Sequence, residues 1–84
     1  MMDYIARTPA QLGSILKSCR SQRGLTQRES GIKVGLKQST VSNMEANAAR
    51  THVESLYKVL SALGLELVVR DKQADRSTQK AREW

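Results

Sequence analysis

Between Lys37 and Asn43 six side chains can donate or accept hydrogen bonds, and none carries a negative charge: Lys37, Gln38, Ser39, Thr40, Ser42 and Asn43. A helix that merely faces water usually carries Glu beside Lys, yet the first acid here is Glu45. Amides and hydroxyls in such a row suit the edges of DNA bases. A glutamine such as Gln38 can pair bidentately with adenine, and Ser39, Thr40 and Ser42 can reach base edges or a thymine methyl. Lys37 lies near the start of its helix, where its charge opposes the dipole, a small penalty that a phosphate or a guanine would relieve. Gln27 opens the preceding helix, where its side chain and neighbouring amides can meet a backbone phosphate.

No comparable set points to catalysis. His52 is the only histidine, placed at a helix start and read as a surface or capping residue. The chain shows no metal-ligand cluster, no P-loop and no nucleophile–base constellation, so neither an enzyme nor a cofactor is expected. Cys19 is the only cysteine; no intramolecular disulfide is possible, and its place on an apolar helix face makes it a core thiol. No apolar run approaches the roughly 20 residues of a bilayer span, and no signal-peptide segment is seen, so a cytoplasmic protein is expected. The net charge is +6, with nine basic and five acidic groups up to Val69. The excess is therefore spread over the folded part, as suits a polyanionic partner.

The elements that hold these residues can be read from caps and periodicity. The 84 residues suffice for one small domain, expected over 1–70, and with no Phe its core must be aliphatic. Thr8-Pro9-Ala10-Gln11 starts a helix with an N-cap, a proline at the first helical position and a capping-box glutamine. Leu12, Ile15, Leu16 and Cys19 form its apolar stripe, with Lys17, Arg20 and Arg23 toward the other side and the C-terminal end; Gly24 ends it. Thr26 and Glu29 form a second capping box, opening a short helix that runs to about Val34 and closes at Gly35. A third helix starts near Lys37 or Gln38 and runs through Glu45, anchored by Leu36, Val41 and Met44. Residues 47–50 read as a loop. A fourth helix then carries Val53, Leu56, Tyr57, Leu60 and Leu63 and stops at Gly64. Leu65–Arg70 alternates as a strand, and 71–84 is polar, expected to be disordered, and ends in Trp84.

Two short helices around a tight glycine turn, from Leu25 to Glu45, have the form of a helix-turn-helix. Leu25-Thr26-Gln27, followed by Val34-Gly35-Leu36-Lys37-Gln38-Ser39-Thr40-Val41-Ser42-Asn43-Met44-Glu45, resembles the lambda-repressor/Cro-type (XRE) helix-turn-helix family over about residues 9–63. Within it the Thr8-Pro9-Ala10-Gln11-Leu12 start, the Leu36–Asn43 segment, the strand after the fourth helix and the Glu83-Trp84 ending are similar to HipB-type antitoxins. Ser30 and Gly31 depart from the pattern, standing where the family usually has a larger aliphatic residue and Ala. Both are poor helix formers, so this helix is either less stable or more closely packed than usual.

The resemblance implies a mainly α, lambda-repressor-like domain of four or five helices, with one C-terminal strand pairing across a homodimer. It implies phosphate contacts at Gln27 and Lys37, and bases facing Gln38, Ser39, Thr40 and Ser42. It also implies a repressor of a palindromic operator that neutralises a HipA-like kinase toxin. A stand-alone phage-type or chromosomal repressor, and an interaction module without DNA binding, are the alternatives. The strand gives an independent reason for a dimer, because a lone apolar strand leaves its amides and carbonyls unpaired. Pairing with a second copy would bury Leu65, Leu67 and Val69; addition to Tyr4–Arg7 of the same chain is the other possibility. Trp84 is either a chance terminal residue or an anchor for the toxin.

Overall fold

The computed structural model describes residues 3–72, and its regular elements are helical. Helix α1 spans Pro9–Gln22. Thr8 caps it, its Oγ1 accepting from the Gln11 amide at 3.1 Å. The Gln11 carboxamide reaches past Thr8, and its Oε1 accepts from the Arg7 amide at 2.7 Å. Gly24 turns the chain out of α1 with φ +69°, a left-handed conformation in which a Cβ would be strained.

Helix α2 is only Gln27–Ile32, ending two residues before the expected Val34. Both halves of its capping box are present: Glu29 donates its amide to Thr26 Oγ1 at 3.0 Å, and Thr26 donates its amide to Glu29 Oε1 at 2.8 Å. Gly35, at φ +73°, makes the turn. Helix α3 is Gln38–Ala46, with Lys37 at the N-cap position and no side-chain cap. Residues 47–50, expected as plain loop, hold one 3₁₀ turn at Ala48–Arg50, because Asn47 Oδ1 accepts from the Ala49 amide at 2.8 Å. Helix α4 is Val53–Ala62.

The core joins Leu16 and Cys19 of α1, Val41 and Met44 of α3, and Val59, Leu60 and Leu63 from α4 and its C-terminal end. Cys19 is fully buried, as its place on the apolar stripe requires. The buried face of α4 differs from the expected one. Val59 lies inside, while Val53 and Tyr57 are 64% and 53% exposed. The apolar row on α4 is wider than the face left open by the other helices, so its Val53–Tyr57 edge reaches solvent.

The expected strand at 65–70 is not formed within the single chain. Among the described residues no strand occurs, either there or at Tyr4–Arg7. Leu65 is drawn toward the core and donates its amide to the Leu60 carbonyl at 2.8 Å, whereas Val69 is 94% exposed. An exposed ion pair between Arg70 and Asp3, at 3.6 Å, brings the two ends near each other without a backbone ladder. A ladder needs a second extended backbone, and these residues supply none. The tail from Gln73 to Trp84, for which disorder was expected, lies outside the described residues. No helix among the described residues is long and apolar enough to cross a membrane.

Candidate nucleic-acid interface

Two close backbone approaches set α2 and α3 in place. A Cβ on Gly13 would lie 2.6 Å from the Glu45 carbonyl oxygen and 2.7 Å from that of Met44, so only glycine lets α1 cross the end of α3 here. A Cβ on Gly31 would lie 2.6 Å from the Leu36 carbonyl oxygen and 3.3 Å from Val41 Cγ2. The Leu36 amide in turn donates to the Gly31 carbonyl at 2.8 Å. Ser30 beside it is buried and donates its hydroxyl to the Gln27 carbonyl at 3.0 Å. Ser30 and Gly31, small where the family pattern is larger, therefore mark close packing of α2 against the turn.

A buried polar cluster locks the same elements together. Glu45, 7% exposed, accepts from Arg20 Nε at 2.6 Å, from Arg20 Nη2 at 3.1 Å and from Gln27 Nε2 at 3.0 Å. Arg20 Nη1 also donates to the Leu25 carbonyl at 2.7 Å. One carboxylate thus ties α1, α2 and α3, and charge-assisted hydrogen bonds of this kind are short and strong. Arg20 is accordingly not on a solvent-facing side of α1, contrary to its expected place. Its signal in the sequence was weak because its partner lies 25 residues away.

What these constraints leave outward is the first half of α3. Lys37, Gln38, Ser39 and Asn43 are exposed, and Thr40 and Ser42 are half-buried. Val41, Met44 and Glu45 form the inward side. Gln27 stands apart from this row: it is half-buried, and one amide hydrogen is held by Glu45. Its main-chain amide is the first of α2. Glu29, in the first turn, has its carboxyl held below the ordinary value of 4.5 by hydrogen bonds from the Thr26 backbone and side chain. Leu65, Leu67 and Val69, the candidate dimer residues, range from half-buried to almost fully exposed.

The structure adds a feature that the sequence reading passed over. Thr40 and Asn43 of α3 share an open groove with Asn47, Arg50, Thr51, His52 and Ser55. Its only sequence signal was a run of polar residues interrupted by Ala48, Ala49 and Val53, which alone resembles an ordinary loop.

A helix-turn-helix family model matches residues 16–69. Antitoxin HipB from Escherichia coli is 35% identical over 80 residues, covering 92% of this chain and 91% of the relative. A solved HipB-O4 20mer complex contains a chain that superimposes with a TM-score of 0.78 at 36% identity, covering 86% of this chain and all 100% of that one. In a solved HipA-HipB-O2-O3 complex the matching chain gives a TM-score of 0.76 at 34% identity, covering 87% of this chain and 100% of its own length.

Proposed function

This chain belongs to the HipB-type antitoxins of the helix-turn-helix family, and from that membership we infer that it is a dimeric DNA-binding autorepressor that also neutralises a HipA-like kinase toxin. The observation that carries the reading is the outward half of α3. Its acid-free row from Lys37 to Asn43 is held in place by Gly13, Gly31 and the Glu45 cluster, and that rigidity suits a helix that must enter a major groove. The HipB complexes with 20mers, taken as operator duplexes, support the DNA partner. The HipA-HipB complex supports the toxin partner.

In this reading Gln38 reads a base, with Ser39, Thr40, Ser42 and Asn43 beside it, and Lys37 meets phosphate or guanine. Gln27 meets phosphate through its main-chain amide and the amide hydrogen that Glu45 leaves free. Leu65–Arg70 becomes a strand by pairing with its counterpart in a second copy. Trp84, outside the described residues, is proposed as an anchor on the toxin, and its deletion should weaken toxin capture. The protein works in the cytoplasm and catalyses no reaction.

Binding to a duplex from the protein's own promoter and to a scrambled duplex, over a range of salt, tests the reading. Gln38→Ala should cost about 1–3 kcal/mol on the promoter and little on the scrambled duplex. Lys37→Ala should weaken both and lower the salt slope by about 1. Two variants that bind both duplexes like the parent at every salt concentration would overturn the assignment.

A further inference from the structure

The groove beside α3 has a lining that the row from Lys37 to Asn43 does not explain. Seven of its eight lining residues are polar, and its two titratable members are Arg50 and His52. No carboxylate lines it. Thr40 and Asn43 belong at once to this groove and to the outward row of α3, so a duplex lying on α3 runs past its mouth. His52 is exposed at the N-cap position of α4 and makes no side-chain cap, leaving its imidazole uncommitted to the helix.

We propose that this groove takes a backbone phosphate of the bound duplex and that His52 is a proton-dependent ligand for it, making operator binding tighter as the pH falls. The proposal rests on the DNA-binding reading above and adds to it a residue and a linkage. Arg50 supplies a fixed positive charge to the phosphate, and Thr51, Ser55 and Asn47 supply neutral hydrogen-bonding groups. Imidazole is the side chain whose ordinary titration falls between about pH 5 and 8. As an imidazolium it donates from both nitrogens and attracts the phosphate, whereas the neutral ring brings no charge.

The surrounding groups allow such a response. From α3 the groove receives Thr40 and Asn43, neither of which titrates in this range. On α4, Glu54 lies in the first turn but not among the lining residues. Arg7 approaches the same 3₁₀ turn from the α1 side, lining a second shallow groove with Ala48 and Ala49. The sign follows from linkage. A phosphate that favours the imidazolium raises the His52 titration midpoint in the complex. The gain in affinity is then complete below the free midpoint and disappears as pH rises through the bound one.

Because His52 is the only histidine, its ring C–H signals are assigned without ambiguity by NMR. Titrating the whole protein alone and bound to its promoter duplex should show the midpoint rising by about one unit, equivalent to about tenfold in affinity per subunit. Affinity for that duplex should increase correspondingly between pH 8 and pH 5.5, on the order of tenfold per subunit. His52→Gln should flatten this dependence, with its largest loss of affinity at pH 5.5 and almost none at pH 8, and Arg50→Gln should weaken binding at every pH. An unchanged midpoint in the complex, or the same pH dependence in His52→Gln, would overturn the proposal while leaving the repressor reading intact. Absence of specific binding at every pH would remove the repressor reading and this proposal with it.

Discussion

Glu45 lies on the inward side of α3, behind the row from Lys37 to Asn43. Its carboxylate is buried and takes three hydrogen bonds, two from Arg20 and one from Gln27. Replacing it with alanine leaves the part-buried Arg20 guanidinium without its counter-charge. Where breaking a fully buried pair from one side costs roughly 3–5 kcal/mol, this loss is smaller, about 2–3 kcal/mol. Glu45→Ala should therefore lose that much in denaturant unfolding, through a lower midpoint at an unchanged m-value. A loss below about 0.5 kcal/mol, the range of ordinary surface substitutions, would show that the cluster is not structural. Glu45→Gln should fall between the two, since it keeps the acceptor oxygen and discards the charge. At this scale the outward row from Lys37 to Asn43 was legible because its residue types are unusual for a solvated helix. The inward pair was not: Arg20 reads locally as a cation near a helix C-terminus, and its true partner lies on another helix.

The helices themselves were legible where their signals are local. Thr8 with Pro9, and Thr26 with Glu29, mark starts that the structure keeps, and Gly24, Gly35 and Gly64 mark left-handed ends. What the chain's local pattern does not contain is where another backbone will pass, hence the misplaced edge of α4 and the missed role of Gly13. Gly31 allows propensity and packing to be weighed against each other. On propensity alone Gly31→Ala would stabilise α2 by about 1 kcal/mol. The added Cβ, however, would sit 2.6 Å from the Leu36 carbonyl oxygen, a backbone atom that cannot simply swing away. Packing should win, and Gly31→Ala should lower Tm; a higher Tm would mean that the turn yields. The capping box predicts a pH effect as well. Thr26→Ala should cost about 1 kcal/mol near neutrality. Because Glu29 titrates below its ordinary 4.5, its half of the box contributes above that value and is lost as pH falls through the lowered one. The penalty of Glu29→Ala, which removes that half of the box, should thus shrink in acid, and a penalty independent of pH would argue against the reciprocal bond.

At the scale of the whole molecule, the single chain leaves apolar surface that one domain has no use for. Val68 and Val69 are 65% and 94% exposed, next to Leu67 at 46%. Contiguous apolar surface of this kind marks an interaction site, and a short unpaired segment with strand-forming residues favours its own copy across a two-fold axis. The alternation of Leu65, Leu67 and Val69 could be read in the sequence; that the segment would stay unpaired in one chain could not, because Tyr4–Arg7 was an available partner. Val69→Asp tests the interface without confounding it with folding, since a side chain so exposed makes little contribution to the monomer. The variant should keep the parent's helical circular dichroism but run in light scattering as a 9.4 kDa species, where the parent runs at twice that mass. Its operator footprint should shrink in parallel. A dimer places two recognition helices about 34 Å apart on successive major grooves, whereas each monomer reads one half-site. A variant that stays dimeric and protects the full site would place the interface elsewhere, with the Val53–Tyr57 edge of α4, Ile5 and Ile32 as further exposed apolar surface among the described residues.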